Sequence, residues 1–230
     1  MQILVVCTGN ICRSPMGEIV LREYLQREGL SAPKARHNTE PGIPEGGLGT
    51  PVVKPSTPET GLSVPEVTVA SAGTSDEEHG HGLDRRAAQV LREAGYPLPR
   101  EHFAHRATAA ELRESGLILA MTVGHARLLR GMLETAGEDT RKLHLWREFD
   151  GTIPFAPGGV FGEGGVLPAP HEPGKNPTQR PKRKHYSDQY SSDGDYDVPD
   201  PWYGGLDGFY DTLTVVEAGA TGIVKYLRRR

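Results

Sequence analysis

Residues 7–15 read Cys7-Thr8-Gly9-Asn10-Ile11-Cys12-Arg13-Ser14-Pro15 and follow the apolar run Ile3-Leu4-Val5-Val6. The apolar run is typical of a buried strand, and Pro15 is typical of the first turn of a helix. The residues between them are therefore predicted to form a loop that faces a helix start. Unpaired backbone amides and the positive end of the helix dipole make such a loop a binding site for a phosphate-like anion.

Two side chains of this loop can act chemically on a bound phosphate group. Inward-pointing amides and the fixed charge of Arg13 favour the thiolate of Cys7, which is the nucleophilic form of the side chain. The planar guanidinium of Arg13 fits two oxygens of a tetrahedral anion. Ser14 can donate to the thiolate, while Gly9 and Asn10 tolerate backbone geometry that most residues resist. The loop thus predicts attack by Cys7 on a phosphate that the loop holds.

The complete run resembles the signature loop of the low-molecular-weight protein tyrosine phosphatase family, Cys-Thr-Gly-Asn-x-Cys-Arg-Ser-Pro near the N-terminus. The resemblance implies that Cys7 is the nucleophile and that Arg13 holds phosphate oxygens in the transition state. It implies that Asn10 and Ser14 support the loop. It also implies a phosphate-binding set of Thr8, Gly9, Asn10, Ile11, Cys12 and Ser14.

The composition limits the class of protein. A chain of 230 residues with 36% hydrophobic residues can bury one core, and a net charge of −4 gives no overall attraction to nucleic acid or an anionic membrane. The N-terminal apolar run is too short for a membrane span or a signal peptide. Both cysteines lie in the one loop, which leaves no Cys/His cluster with metal spacing. We expect a cytoplasmic monomer without metal or cofactor.

The order of apolar runs and amphipathic segments predicts the fold class. The runs at 67–71, 117–121 and 143–146 read as further strands. Alternation of strands with helices is typical of right-handed βαβ units. We therefore expect a single doubly wound α/β domain, spanning 1–230, with a central four-stranded parallel sheet flanked by helices. The predicted helices cover 15–29, 84–95, 108–114, 122–135 and 209–227.

Two long segments without apolar periodicity interrupt this pattern. Residues 31–65 and 151–198 are predicted to be irregular insertions and to be disordered, with local packing of the scattered apolar residues in the first part of 151–198 as the alternative there. The second contains a basic cluster at 180–184 and an acidic end with three tyrosines, Tyr186, Tyr190 and Tyr196. Adjacent blocks of opposite charge are typical of a solvated linker, although tyrosines among acidic residues also fit a docking segment that a kinase modifies.

A second chemical motif, Pro199-Asp200-Pro201-Trp202-Tyr203-Gly204, lies just before the last helix. In-line displacement at phosphorus needs an acid that protonates the leaving oxygen, and a carboxyl group fixed between prolines suits that role. The motif resembles the Asp-Pro-Tyr-Tyr-Gly loop of the same family. The resemblance implies that Asp200 is the general acid. It also implies a substrate wall formed by Ile11, Trp202 and Tyr203.

Other positions match the family or depart from it. His105 corresponds to a family histidine whose ring helps to hold the phosphate loop, although a surface role is the alternative. Thr122 stands where relatives have Asp, and no aromatic residue lies near Glu77, where relatives have another pocket wall. Cys12 could form a protective disulfide with Cys7 on oxidation, or it could be a packing residue.

The predicted function is hydrolysis of protein phosphotyrosine through a cysteinyl-phosphate intermediate. An aliphatic residue at the position of Ile11 accompanies tyrosine phosphatases among relatives, whereas Thr accompanies arginine phosphatases. Arsenate reductases of the same fold need additional cysteines, and a phosphate-binding scaffold is the alternative from another class. The resemblance implies tyrosine-phosphorylated proteins as partners, with a bacterial tyrosine kinase as one candidate.

Overall fold

The computed structural model describes residues 1–31, 66–167 and 196–230. Most of the first predicted insertion, 32–65, and the part of the second from 168 to 195 lie outside the described residues. Tyr186 and Tyr190 belong to that second part, so their predicted role as kinase targets stays a prediction.

One parallel sheet forms the centre of the molecule. Its strands are β1 (Gln2–Cys7), β2 (Thr68–Gly73), β3 (Ser115–Ala120) and β4 (Leu143–Leu145), in the spatial order β2-β1-β3-β4. All three strand pairs are parallel. The chain builds outward from β1 in both directions, so the strand order reverses between β1 and β3. Loops at the carboxyl ends of strands beside such a reversal are the usual ligand sites of open α/β sheets.

Among the residues that the structure describes, five helices cover both faces of the sheet, which confirms the predicted doubly wound fold. Alternate residues of β1 enter two buried clusters: Ile3 and Val5 pack with α1, α2 and α5, and Leu4 and Val6 pack with α3 and α4. None of the helices among the described residues is long and apolar enough to cross a membrane. The helices are α1 (Arg13–Arg27), α2 (Arg85–Glu93), α3 (Ala109–Glu114), α4 (Val123–Ala136) and α5 (Leu206–Leu227).

Several helices and strands begin or end at other residues than those predicted. Helix α1 begins at Arg13, two residues before Pro15, because proline without an N–H group is tolerated anywhere in the first turn. Helix α5 begins at Leu206 rather than at residue 209. Strand β3 begins at Ser115, and Trp146 starts a single 3-10 turn, Trp146–Glu148, instead of extending β4.

The segment 151–167 contradicts the expectation of disorder for its part of the second insertion. It contains no helix or strand, yet Ile153, Val160 and Leu167 are buried in the cluster beneath α4. The amide of Val160 donates to the carbonyl of Leu143, and that of Leu167 donates to the carbonyl of Val160. Burying three large apolar side chains contributes roughly 1.5–3 kcal/mol each, which is enough to hold an irregular segment in place.

Candidate active site

The phosphate loop, residues 7–14, joins the end of β1 to the first turn of α1. Asn10 at its centre has φ 58°, a left-handed conformation that asparagine tolerates better than most residues. In the described parts of the chain, the backbone amides of residues 8–12 donate to no other protein group. Free amides at a helix N-terminus form a site for an anion. The structure thus brings the predicted phosphate-binding residues together in one loop.

Cys7 lies at the floor of this loop with a hydrogen-bonding partner. Its sulfur is 3.0 Å from the hydroxyl oxygen of Ser14, and both side chains are buried. The hydroxyl of Ser14 also lies 3.2 Å from the carbonyl oxygen of Ala72. Because a hydroxyl has one proton, Ser14 can turn from that carbonyl to the sulfur when Cys7 is a thiolate. This geometry is the one expected for a serine that stabilises a thiolate nucleophile.

Asn10 fixes the loop from inside the protein. Its amide nitrogen donates to the hydroxyls of Ser14, at 3.0 Å, and Ser71, at 2.9 Å. Its amide oxygen accepts from the backbone N–H of His105 at 3.3 Å. Ser71 in turn donates to Glu18 at 2.5 Å. The side chain of Asn10 is fully buried, so these partners are required rather than optional.

The prediction that the ring of His105 helps to hold the phosphate loop is wrong, although the backbone of His105 does contact the loop. The ring Nε2 lies 2.7 Å from the carboxylate of Glu111, and only the backbone amide of His105 reaches the loop. Partial burial opposes ionisation, yet the hydrogen bonds to Glu111 and to the carbonyl of Phe103 raise the pKa of His105. A histidine ring that does contact the loop is that of His102, whose Nε2 is 2.7 Å from the carbonyl oxygen of Asn10. No pattern in the sequence singled out His102.

His125 is a second histidine that sequence reasoning missed. Its Nε2 lies 2.8 Å from the hydroxyl of Thr8, and its Nδ1 lies 2.9 Å from the hydroxyl of Thr122. Burial, and to a lesser extent the charge of Arg13, lower its pKa well below the usual value, so the ring is neutral. Nothing in the sequence pointed to the contact with Thr8, because 117 positions separate Thr8 from His125.

The acid loop, residues 199–205, places Asp200 over the phosphate loop. One carboxylate oxygen is 2.8 Å from Nη2 of Arg13, and the other accepts from the backbone amide of Trp202 at 3.1 Å. Two hydrogen bonds fasten the approach to this loop: Val198 donates to the carbonyl of Met121, and the carboxylate of Asp197 accepts from the amide of Val123 at the start of α4. Nucleophile, arginine and carboxylate therefore share one site.

The rim of the site has an aromatic side and an acidic side. Trp202 is 42% exposed and Tyr203 is 92% exposed, while Ile11 is half-buried. On the acidic side, Glu78 packs directly on Gly9: a Cβ atom at position 9 would lie 2.7 Å from Cγ of Glu78. The structure thus places Glu78 against the loop in the segment where relatives have an aromatic wall.

Cys12 is buried at the end of the phosphate loop, directly before α1. Burial first, and then the nearby carboxylate of Asp84, raise the pKa of its thiol far above the ordinary value. Cys12 is therefore a protonated thiol at neutral pH. Both cysteines are free in the structure, and the predicted disulfide between Cys7 and Cys12 stays a prediction. Over the described ranges, no three His, Cys, Asp or Glu side chains are grouped so that they could hold a metal ion.

Comparisons with known proteins agree with this geometry. The sequence model of the family described as "Low molecular weight phosphotyrosine protein phosphatase" matches residues 2–37 and 51–155. A low molecular weight protein-tyrosine-phosphatase of Streptomyces coelicolor is 29% identical over 229 residues, covering 100% of this chain and 94% of the relative.

Two solved structures show the same fold. The protein tyrosine phosphatase of Entamoeba histolytica has a TM-score of 0.61 at 20% identity, covering 100% of this chain and 97% of that one. The YwlE arginine phosphatase, a Bacillus subtilis protein, has a TM-score of 0.58 at 20% identity with the same coverage. Because the family model matches more than half of the residues of this chain, the chain belongs to the low molecular weight phosphotyrosine protein phosphatase family.

Proposed function

We propose that this protein hydrolyses phosphotyrosine in proteins through a cysteinyl-phosphate intermediate. One observation carries the proposal: the carboxylate of Asp200 lies 2.8 Å from Arg13, in the same site as the buried sulfur of Cys7 and the free amides of residues 8–12. A nucleophile, an oxyanion binding site and an acid are the three groups that phosphate ester cleavage needs in the absence of a metal.

The first step forms the phosphoenzyme. The thiolate of Cys7 attacks phosphorus, and the bond from phosphorus to the tyrosine oxygen breaks. Arg13 and the loop amides hold the three non-bridging oxygens of the transferred phosphoryl group, and these donors are in place before the reaction starts. Asp200 gives its proton to the departing tyrosine oxygen, which is a poor leaving group without protonation.

The second step releases inorganic phosphate. Asp200 is now a carboxylate and accepts a proton from a water molecule that attacks phosphorus. The phosphorus–sulfur bond breaks, and the thiolate of Cys7 returns. The hydroxyl of Ser14, 3.0 Å from the sulfur, stabilises the leaving thiolate. The proton balance closes because Asp200 gives one proton in the first step and regains one in the second.

The rim favours phosphotyrosine over phosphoarginine. Ile11 at the mouth of the loop is aliphatic, and the exposed rings of Trp202 and Tyr203 give a flat phenolic ring two surfaces on which to stack. Protein arginine phosphatase is the second candidate, because the YwlE arginine phosphatase shares the fold. Arsenate reduction is disfavoured because the chain has only the two cysteines of the loop. A non-catalytic phosphate-binding scaffold would retain binding without turnover.

The partners and location belong to this proposal as well. The substrates are tyrosine-phosphorylated proteins, with a bacterial tyrosine kinase as one candidate, and the enzyme acts as a cytoplasmic monomer. A net charge of −4 supports the absence of nucleic acid and of anionic membranes among its partners.

The decisive experiment compares a phosphotyrosine peptide with a phosphoarginine peptide, without added metal, for wild type, Cys7→Ser and Asp200→Ala. We expect turnover of phosphotyrosine by wild type, none by Cys7→Ser, and a strong decrease for Asp200→Ala. Asp207→Asn is the matched control, because Asp207 is an exposed carboxylate in the first turn of α5. If only the phosphoarginine peptide is hydrolysed, the protein is an arginine phosphatase that uses the same residues. Peptide binding by wild type without turnover of either substrate would indicate a scaffold.

A further inference from the structure

Arg86, in the first turn of α2, reaches across to the acid loop. Its Nη1 donates to the carbonyl oxygen of Trp202 at 3.2 Å and to that of Gly204 at 3.1 Å. These two carbonyls flank Tyr203 in the chain. A single guanidinium group therefore holds the backbone on both sides of Tyr203, which lies three residues beyond Asp200.

Asp84 holds the other edge of this guanidinium and connects it to the phosphate loop. The two carboxylate oxygens of Asp84 accept from Nε and Nη2 of Arg86 at 3.3 and 3.2 Å. The backbone amide of Asp84 donates to the carbonyl of Ile11 at 2.9 Å. Asp84 also caps α2 by accepting from the amides of Arg86 and Ala87. A continuous series of hydrogen bonds thus runs from the phosphate loop through Asp84 and Arg86 to the acid loop.

Two aromatic rings complete the environment of Arg86. The centre of its guanidinium lies 4.6 Å from the ring centroid of Phe209 and 5.4 Å from that of Trp202. Phe209 is fully buried at the start of α5, so it is a fixed surface. A guanidinium group is attracted to the face of an aromatic ring, and Arg is suited to such contacts because its plane can stack and donate at once.

The acid loop needs a support that does not depend on Arg13. In the structure the carboxylate of Asp200 pairs with Arg13, but phosphate oxygens take over the same guanidinium when substrate binds. Asp200 must then face the leaving oxygen, and its remaining contact is the amide of Trp202. The position of that amide depends on the backbone that Arg86 holds.

We propose that Arg86, held by Asp84, is a positioning residue for the general acid. It sets the distance between the acid loop and the phosphate loop, so that Asp200 reaches the leaving oxygen while Arg13 is engaged with phosphate. This inference rests on the proposed phosphatase function. It concerns proton delivery only: the affinity of the phosphate loop for an oxyanion does not depend on Arg86.

The kinetic test uses the dependence of rate on the leaving group. Arg86→Met retains the length of the side chain but removes its donors, and Arg85→Met changes the exposed neighbour as a matched control. For phenyl phosphate, a poor leaving group, we expect kcat/KM of Arg86→Met to fall about 10- to 100-fold, because small misplacements of a catalytic group have effects of this size. For 4-nitrophenyl phosphate, which hardly needs an acid, we expect a loss below about 3-fold.

Arg86→Lys keeps the charge but lacks the planar set of guanidinium donors. We therefore expect its kcat/KM for phenyl phosphate to lie between those of wild type and Arg86→Met. Inhibition by inorganic phosphate should be unchanged in all variants. Equal losses on both substrates, a weaker inhibition constant for phosphate, or no loss at all would each overturn the proposal.

A second measurement is independent of turnover. The chain has two tryptophans, Trp146 in the core and Trp202 on the acid loop, and only the second is accessible to a quencher. We expect acrylamide to quench the tryptophan fluorescence of Arg86→Met more strongly than that of wild type or Arg85→Met. Adding Trp202→Phe to wild type or to Arg86→Met should remove the quenchable fluorescence. An unchanged quenching constant would overturn the proposal even if wild type hydrolysed neither ester. Wild-type inactivity with increased quenching would instead refute the phosphatase function and leave Arg86 as the support of this loop.

Discussion

The phosphate loop and the acid loop form one site but are held in different ways. In the phosphate loop, Cys7, Asn10 and Ser14 are buried and cross-linked by side-chain hydrogen bonds. In the acid loop, Trp202 and Tyr203 are exposed, and the segment depends on contacts from other elements. The loop proposed to bind phosphate is thus held by its own side chains, whereas the loop proposed to deliver the proton is positioned by other elements.

This difference separates affinity from proton transfer. A buried network with every polar group satisfied is costly to distort, so the phosphate loop keeps its shape whether or not substrate is present. An exposed loop with few anchors can shift by the small distance that Asp200 needs to leave Arg13 for the substrate. Changes to the buried side chains that support the first loop should therefore affect stability and binding, while changes that displace or remove the carboxylate of Asp200 should affect rate alone.

The largest effect that separates the two loops should come from Asp200→Asn. We expect kcat/KM for a phosphotyrosine peptide to fall about 100- to 10,000-fold, the range typical of general acid catalysis. The melting temperature should stay within experimental error of wild type, because Asp200 is partly exposed. Steady-state kinetics and thermal denaturation check both expectations. A clear loss of stability would show that the acid loop also supports the fold.

A substitution in the phosphate loop should have the opposite signature. Asn10→Ala removes the hydrogen bonds to Ser14, Ser71 and His105 and places at φ 58° a residue that adopts the left-handed conformation less readily than asparagine. We expect the free energy of unfolding to fall by about 2–4 kcal/mol. Asn10→Gly is the control, since glycine accepts φ 58° and should recover about 1 kcal/mol of that loss. Chemical denaturation measures both, and equal values for the two variants would contradict the role given to the left-handed backbone.

The pH dependence of stability should report His125, which supports the phosphate loop through Thr8. Its pKa in the folded protein is lowered, so below about pH 6.5 the unfolded chain binds a proton that the folded protein does not. Stability should therefore fall with decreasing pH, by at most about 1.4 kcal/mol per pH unit from this group.

Denaturation of wild type and His125→Gln between pH 5 and 8 isolates the contribution of His125, because the other titrating groups cancel in the difference. The sign for His105 is opposite: its pKa is raised, so its contribution is present at low pH and is lost as pH rises through the folded value. Parallel curves for wild type and His125→Gln would contradict the assignment of a neutral buried ring.

The smallest effect should come from a change in the exposed aromatic side of the rim, formed by Trp202 and Tyr203. Trp202→Leu removes an aromatic surface without altering the hydrogen bonds of the backbone, and Trp202→Phe keeps an aromatic ring as the control. We expect KM for a phosphotyrosine peptide to rise about 2- to 10-fold in the leucine variant, the equivalent of one aromatic contact. A larger effect on kcat than on KM would show that Trp202 influences the position of Asp200 as well.

The parts of the site that lie consecutively in the chain could be predicted from sequence. The residues from Cys7 to Ser14 carry both the geometry and the chemistry of their loop, and the parallel sheet follows from alternating apolar runs. Their partners could not be predicted, since His102 and His125 reach the loop only after the sheet brings distant segments together. The assignment of a ring contact to His105 failed for the same reason: a matching residue type does not determine which of its atoms faces the loop.

The packing of residues 151–167 shows a second limit. Ile153, Val160 and Leu167 lie seven residues apart, but the glycines and prolines between them argue against a helix, so this spacing did not mark a regular buried element. Irregular segments can fill a core when single side chains match existing gaps, and such gaps exist only in three dimensions. Periodicity therefore detects regular elements and overlooks packed loops.

The anchors just before the acid loop bear on how much this protein can change in evolution. Asp197 and Val198 attach the chain to α4 and to the end of β3, only three and two residues ahead of Asp200. Within the second predicted insertion, before the residues 168–195 that lie outside the described ranges, Leu167 is attached to Val160. Sequence can be gained or lost between two such fixed points without altering where the catalytic carboxylate sits. Insertions between these two attachment points could therefore add new binding interactions next to the proposed active site without moving Asp200.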